Sequence, residues 1–348
     1  MSWPVMANGV KKIQLEITNY CNARCSACAR EKIMLGKLEP EILGINDNYV
    51  SYEQFVSWFD KDKWENLLHI DFCGNIDEPT TNPDLLKICK WILENNEFTQ
   101  YLKLTISTNG GTRNKEFWQE LGKLSNDYKS PGGYKRLQVI WGIDGLEDTN
   151  HIYRRNVKWE KLQENFRTYI KAGGRAMWQF IYFDHNEHQD ELVKQRSIDE
   201  GFEKVKWRNT KRQDRGDTVA ANKEKYVKDN NVATKKIVCK ACHRPNYHGL
   251  DTGLFVTNKG HVMPCCWLGT EARLKEVYDT YGYQYDSKDN VLDGNKSFQD
   301  ILESDWYTNL HKTIMAETWQ ACVQHCKENV IEAITDDYNT GDKVSTVQ

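Results

Sequence analysis

Between residues 11 and 208, short apolar runs alternate with amphipathic stretches, and this alternation constrains the fold more than any other feature of the chain. Six runs are short and rich in Ile, Leu, Val or aromatics, as strands are: Lys12–Thr18, Leu67–Phe72, Tyr101–Ser107, Arg136–Ile143, Ala176–Phe183 and Lys204–Trp207. Between them, Tyr52–Asp60, Pro83–Asn95, Lys115–Ser125, Lys158–Ala172 and Glu187–Glu200 carry helical patterning. Asn82-Pro83 reads as a cap followed by an N1 proline, Asn186 as the cap of the last helix, and Gly173-Gly174 as a stop. Strand followed by helix, repeated, demands parallel strands joined by right-handed crossovers. Six strands are too few to close an eight-stranded barrel, so a doubly wound sheet and a partly open barrel both fit the pattern. In either, ligands meet the C-terminal ends of the strands.

Those ends are where the chemistry-bearing residues fall. The first strand runs into Cys21, Cys25 and Cys28, spaced C-x3-C-x2-C. The second ends in Cys73-Gly74-Asn75-Ile76-Asp77-Glu78-Pro79, the third in Ser107-Thr108-Asn109-Gly110-Gly111, and the fourth in Gly142-Ile143-Asp144-Gly145. Glycine lets a ligand approach the backbone closely. Three thiolates on one short loop can hold three corners of a metal cluster and leave a fourth metal position open, as catalysis requires. The alternative is a zinc loop completed by a distant residue. Asp184-His185-Asn186-Glu187-His188 follows the fifth strand; its H-x-x-H spacing could bind metal, but a capped surface helix start is the preferred reading, with His185 a lesser candidate for a substrate site. Cys73 and Cys89 have no partner at ligand spacing and read as small buried residues.

Beyond residue 208 the pattern breaks. Phe202 to Lys236 holds eleven Lys/Arg against five Asp/Glu and reads as a solvated basic linker over 209–236. Residues 237–335 form a second unit, with a hairpin of Leu254–Thr257 and His261–Met263 around Asn258-Lys259-Gly260, then helical patterning over Ser297–Glu303 and Trp306–Glu332. The tail from about Asp336 reads as frayed. Nine of the eleven cysteines cluster near the start and in the last third, which suggests two metal sites in place of a disulfide framework. A formal net charge of −3 gives no global pull toward nucleic acid. No apolar run reaches the roughly 18 residues of a membrane span, and no signal peptide opens the chain; a cytoplasmic protein without membrane partners is expected.

The order C-x3-C-x2-C, G-N-x-x-E-P, S-T-N-G and I-D-G…Y-R resembles a radical S-adenosylmethionine (SAM) enzyme over residues 11–208. The resemblance implies a partial (β/α)6 TIM-like barrel in which Cys21, Cys25 and Cys28 ligate a 4Fe-4S cluster whose open iron chelates SAM. It places Gly74, Asn75, Asp77 and Glu78 at the SAM amino group and Ser107, Thr108 and Asn109 at its methionine carboxylate and ribose. Asp144 occupies the next strand-end motif, and Arg154 matches an arginine that pairs with the carboxylate, a task its fork of donors suits. Two positions depart from the family pattern. Ala27 stands where an aromatic usually packs on adenine, leaving that task to Tyr20 or a fifth- or sixth-strand side chain, and Asp77 stands where glycine is common. The later cysteines, C…G-x4-C…C-x3-C, resemble the SPASM module or its shortened twitch form, a small α+β domain. Six cysteines suit one auxiliary 4Fe-4S cluster, drawn from Cys239, Cys242, Cys265, Cys322 and Cys326, with Cys266 packing beneath the hairpin. The implied activity is reductive cleavage of SAM to a 5′-deoxyadenosyl radical that abstracts hydrogen from a peptide or protein side chain. A flavodoxin- or ferredoxin-like protein would supply the electron. The competing readings are a radical dehydrogenase of a small carbohydrate-like substrate and a non-catalytic zinc or iron–sulfur protein that binds nucleic acid.

Overall fold

The computed structural model describes residues 9–36, 48–210, 253–264, 288–315 and 344–346. Cys239, Cys242, Cys265, Cys266, Cys322 and Cys326, and with them the whole expected second cluster site, lie outside the described residues, as does the basic stretch from 211 on.

Strands β1 (Lys12–Leu15), β2 (His69–Phe72), β3 (Lys103–Thr108), β4 (Leu137–Gly142), β5 (Arg175–Ile181) and β6 (Lys204–Arg208) pair in parallel in the order of the sequence. A doubly wound sheet reverses its strand order at a switch point. This sheet does not reverse, so of the two expected architectures the partial barrel is the one formed. A short helix α1 (Ala29–Met34) follows the cysteine loop, and α2 (Tyr52–Phe59) leads to β2. The later crossovers are α3 (Leu85–Glu94), α4 (Lys115–Asp127), α5 (Asn150–Tyr153) with α6 (Trp159–Lys171), and α7 (Asp190–Asp199).

Strand alternation sorts the side chains. Ile13, Leu15, Ile70, Phe72, Leu104, Ile106, Val139, Trp141, Trp178, Phe180 and Val205 are buried. Helices cover this face: Phe55 of α2 meets Phe72 edge-on at 6.0 Å, and Trp118 of α4 lies 4.6 Å from Trp141. The opposite face is polar. Lys12 and Gln14 reach Asp71 at 3.5 and 3.3 Å, and His69 Nε2 lies 2.8 Å from Thr105 Oγ1. Burial holds the His69 imidazole neutral, with its pKa pushed down to about 3. A closed eight-stranded barrel fills its interior with apolar layers; this sheet's inner wall is polar.

The later segments join the same body. The hairpin of β7 (Gly253–Val256) and β8 (Val262–Met263) turns at Gly260, whose φ of +85° suits glycine. It extends the barrel sheet: β7 pairs in parallel with β1, Ile13 opposite Leu254. Helix α8 (Phe298–Glu303) starts from a Ser297–Asp300 capping box and buries Phe298 at 5.4 Å from Phe59 and 5.0 Å from Trp64. Helix α9 (Asp305–Met315) covers the start of the helix expected over Trp306–Glu332. In the expected frayed tail, β9 (Val344–Thr346) pairs antiparallel with β6.

The two expected caps differ. Asn82 Oδ1 accepts the Asp84 amide at 2.8 Å across Pro83, as a cap does, while its amide nitrogen also donates to the Ile17 and Val50 carbonyls at 2.7 and 2.9 Å. Asn186 is fully buried, not a surface cap. Its amide nitrogen donates to the Asp144 and Ile181 carbonyls at 2.8 and 2.9 Å, and its oxygen accepts from the Phe183 amide at 2.7 Å.

Candidate functional site

The loop that leaves β1 is tied down on both sides. The Glu78 amide donates to Tyr20 O at 2.8 Å, the Arg24 amide to Arg155 O at 3.0 Å, and the Arg30 guanidinium to Asn19 O and Ile76 O at 2.7 and 3.2 Å. Cys25 is buried, Cys21 and Cys28 are half-buried, and all three are free thiols. Each faces a polar group from a different segment, after β2, after β3 and at the end of α5. Asn109 Nδ2 lies 3.8 Å from Cys21 Sγ, Arg154 Nη1 lies 3.9 Å from Cys25 Sγ, and the Cys28 thiol points to Asn75 O at 3.8 Å. Burial pushes the Cys25 thiol up to about 11 and the Cys21 thiol higher still. Such groups ionise when a metal replaces the proton. Among the described residues, no three His, Cys, Asp or Glu side chains gather as for a single metal ion. The donor set of three thiols suits a multi-iron cluster shared between them.

Behind the loop, the end of β2 is held by carboxylates. Glu16 Oε1 accepts from the Asn75 and Ile76 amides at 2.7 and 3.0 Å. Glu78 Oε1 accepts from the Thr80 and Thr108 hydroxyls, both at 2.6 Å, and Oε2 accepts from the Asn109 amide at 2.6 Å. Glu78 thus ties the end of β2 to the end of β3. Asp77 is buried beside Glu16 and Glu78, and burial first, then those two charges, raise its carboxyl well above the usual range. Burial likewise raises Glu78, and pushes Glu16 up to about 7. Gly74 admits this arrangement, because a Cβ there would fall 2.2 Å from the Asp77 carbonyl oxygen.

At the end of β3, Asn109 Nδ2 also donates to Asn22 Oδ1 at 2.9 Å, and its Oδ1 accepts from the Gly111 amide at 2.8 Å. Gly110 takes φ +70°, with Trp141 and Leu162 where a Cβ would lie. Ser107 is half-buried, one residue before Thr108. At the end of β4, Asp144 is fully buried; its Oδ1 accepts from the Ile181 amide at 2.7 Å and its Oδ2 from Arg154 Nε at 2.6 Å. Burial opposes the Arg154 charge, but Asp144, Cys25 and Tyr153 together outweigh it and hold the guanidinium protonated.

The structure therefore sets one polar group beside each thiol of the loop, Asn109 at Cys21, Arg154 at Cys25 and Asn75 at Cys28, and ties the segments that carry them through Glu78 and Asp144. Tyr20 stands half-buried in the same loop. His185 is apart from them, stacked on Phe183 at 5.4 Å, and does not converge with His188 on a metal site. Two residues of the frame escape a motif search. Glu16 has one signal, its place on the face shared by Lys12 and Gln14; Asn186 has none, since a cap and a buried staple look alike in sequence.

Residues 15–194, more than half of the chain, match the radical SAM superfamily. No curated protein matches the chain. Among solved structures, Streptococcus suis SuiB is 15% identical, with 81% of this chain and 67% of that one covered and a TM-score of 0.52. SuiB bound to its precursor peptide SuiA is 12% identical, covering 88% and 67%, with a TM-score of 0.55. Native anSMEcpe with bound AdoMet and the Cp18Cys peptide is 10% identical, covering 87% and 83%, with a TM-score of 0.52. At these identities the likeness is one of fold.

Proposed function

The chain belongs to the radical SAM superfamily, and on that premise we propose that it is an enzyme whose Cys21, Cys25 and Cys28 hold a 4Fe-4S cluster with one iron left open to SAM. The observation that carries this is three free thiols on one loop, each beside a polar group from a different segment: Asn75 after β2, Asn109 after β3 and Arg154 at the end of α5. When bound, cluster and SAM supply one-electron cleavage of SAM and hydrogen abstraction from a substrate. The chain's part is to bind and orient. The Gly74–Glu78 segment, Ser107, Thr108 and Asn109 would hold SAM there; Glu78 ties the β2 and β3 ends that carry them, and Asp144 holds Arg154.

The substrate we favour is a peptide or protein side chain. Two fold neighbours support this, since SuiB is seen with its precursor peptide and anSMEcpe with a peptide and AdoMet. Cys239, Cys242, Cys265, Cys322 and Cys326 are proposed to hold one auxiliary 4Fe-4S cluster that takes an electron from the substrate, with a flavodoxin- or ferredoxin-like protein as external reductant. Anaerobic iron and sulfide analysis, with 5′-deoxyadenosine measured under dithionite, tests the reading. Wild type should contain iron and sulfide and form the nucleoside, and Cys25→Ala should form none. Near-stoichiometric zinc without 5′-deoxyadenosine, or cleavage that survives in Cys25→Ala, overturns it.

A further inference from the structure

Arg154 is held on two sides before any ligand arrives. Nε donates to Asp144 Oδ2 at 2.6 Å, and Nη1 lies 3.9 Å from Cys25 Sγ. Gly142 leaves room for the guanidinium, since a Cβ there would sit 2.6 Å from Nη2 and 3.0 Å from the guanidinium carbon. Asp144 is anchored in turn by the Ile181 amide at 2.7 Å, and its own amide donates to Asn150 Oδ1 at 2.9 Å. Next in the chain, Arg155 O accepts from the Arg24 amide at 3.0 Å, so the backbone that carries Arg154 also holds the cysteine loop. The side chain is 15% exposed and cannot swing out without breaking a buried ion pair.

We propose that Arg154, clamped by Asp144, donates to the Cys25 thiolate and raises the reduction potential of the cluster that Cys25 ligates, a role that needs no SAM. This rests on the cluster assignment above. A positive charge and an N–H donor at a cluster sulfur stabilise the more electron-rich, reduced form, so the arginine raises the potential. Arg154 acts through Cys25 and is a positioning residue. The electron comes from an external one-electron donor; the arginine only shifts the equilibrium.

The test is a potentiometric titration followed by electron paramagnetic resonance on the full-length holoprotein without SAM, reading the signal that Cys25→Ala removes. In Arg154→Gln the reduced-to-oxidised ratio at the wild-type midpoint should fall about tenfold, which for a one-electron couple is about 59 mV. Arg154→Lys, which keeps the charge, should recover part of the shift. Iron and sulfide content should stay at the wild-type level. If Arg154→Gln loads no cluster, Gly142→Ala carries the same test, because it displaces the guanidinium without removing it. An unchanged midpoint without SAM overturns the proposal, whether or not the SAM-induced spectral change is weakened. A wild-type protein with no Cys25-dependent signal overturns the cluster assignment instead.

Discussion

Replacing a buried, strand-tying carboxylate should stabilise this protein above neutral pH. Glu16 is fully buried; its Oε1 holds the Asn75 and Ile76 amides, and its Oε2 has no hydrogen-bond partner. Burial moves its pKa from 4.5 to about 7 in the folded state. Between these values the native state binds more protons than the unfolded chain, so stability falls as pH rises through the window. At about 1.36 kcal/mol per unit, the ionised form costs the fold about 3 kcal/mol once the pH is above 7. Glu16→Gln keeps an oxygen for both amides and puts an NH2 where Oε2 stands unpaired, removing that cost. Asp77 lies beside Glu16, so the two carboxyls give up protons as a pair and the gain belongs to the pair. Urea unfolding of the metal-free, reduced protein at pH 5.5 and pH 8.5 measures this. Because wild type has lost about 1.4 kcal/mol by pH 5.5, the variant's advantage over wild type should be about 2 kcal/mol larger at pH 8.5 than at pH 5.5. An equal loss at both values would refute the reasoning, because Glu16 would then act through its charged form.

Glu78→Gln should behave oppositely, since both Glu78 oxygens accept hydrogen bonds. An NH2 facing the Asn109 amide or the Thr108 hydroxyl loses one charge-assisted bond and leaves a buried donor unpaired, a loss of about 3 kcal/mol in urea unfolding; a variant as stable as wild type contradicts the staple. Phe298→Ala should cost about 3–5 kcal/mol by emptying the space between Phe59 and Trp64; an unchanged unfolding midpoint would show that α8 does not dock there. Gly74→Ala should distort the β2 end and lower the iron bound per chain after anaerobic reconstitution; full loading contradicts the 2.2 Å approach to Asp77 O.

The elements of residues 11–208 were legible because periodicity is local: each expected strand and crossover helix appears within a few residues of its place. Strand order was not, because it depends on where each crossover packs, and no window of sequence records that. The same limit hid the pairing of β7 with β1, which joins Ile13 to Leu254 across most of the chain. Asn82 and Asn186 sit where caps belong, yet both amides reach back to carbonyls of other segments. At the site, glycines and cysteines were readable from their chemistry, while the use of each carboxylate was not. Short helix α1 had no apolar periodicity to announce it.

That last point bears on how mutations at the site are interpreted. Glu16, Glu78 and Asp144 look in sequence like ligand-binding acids. In the fold, Glu16 joins β1 to the β2 end, Glu78 joins the β2 and β3 ends, and Asp144 joins the β4 end to β5. A carboxylate whose oxygens already accept amides and hydroxyls has few lone pairs left for a ligand. What these acids leave turned toward the thiols is neutral or cationic: the Asn75 carbonyl, the Asn109 amide and the Arg154 guanidinium. This suits a cluster bound by three thiolates, since further carboxylates would add negative charge to one already present. Loss of SAM binding in a Glu78 variant therefore signals collapse of the frame unless the protein's stability is unchanged. Variants at Asn75 and Asn109 probe the thiol-facing groups more directly.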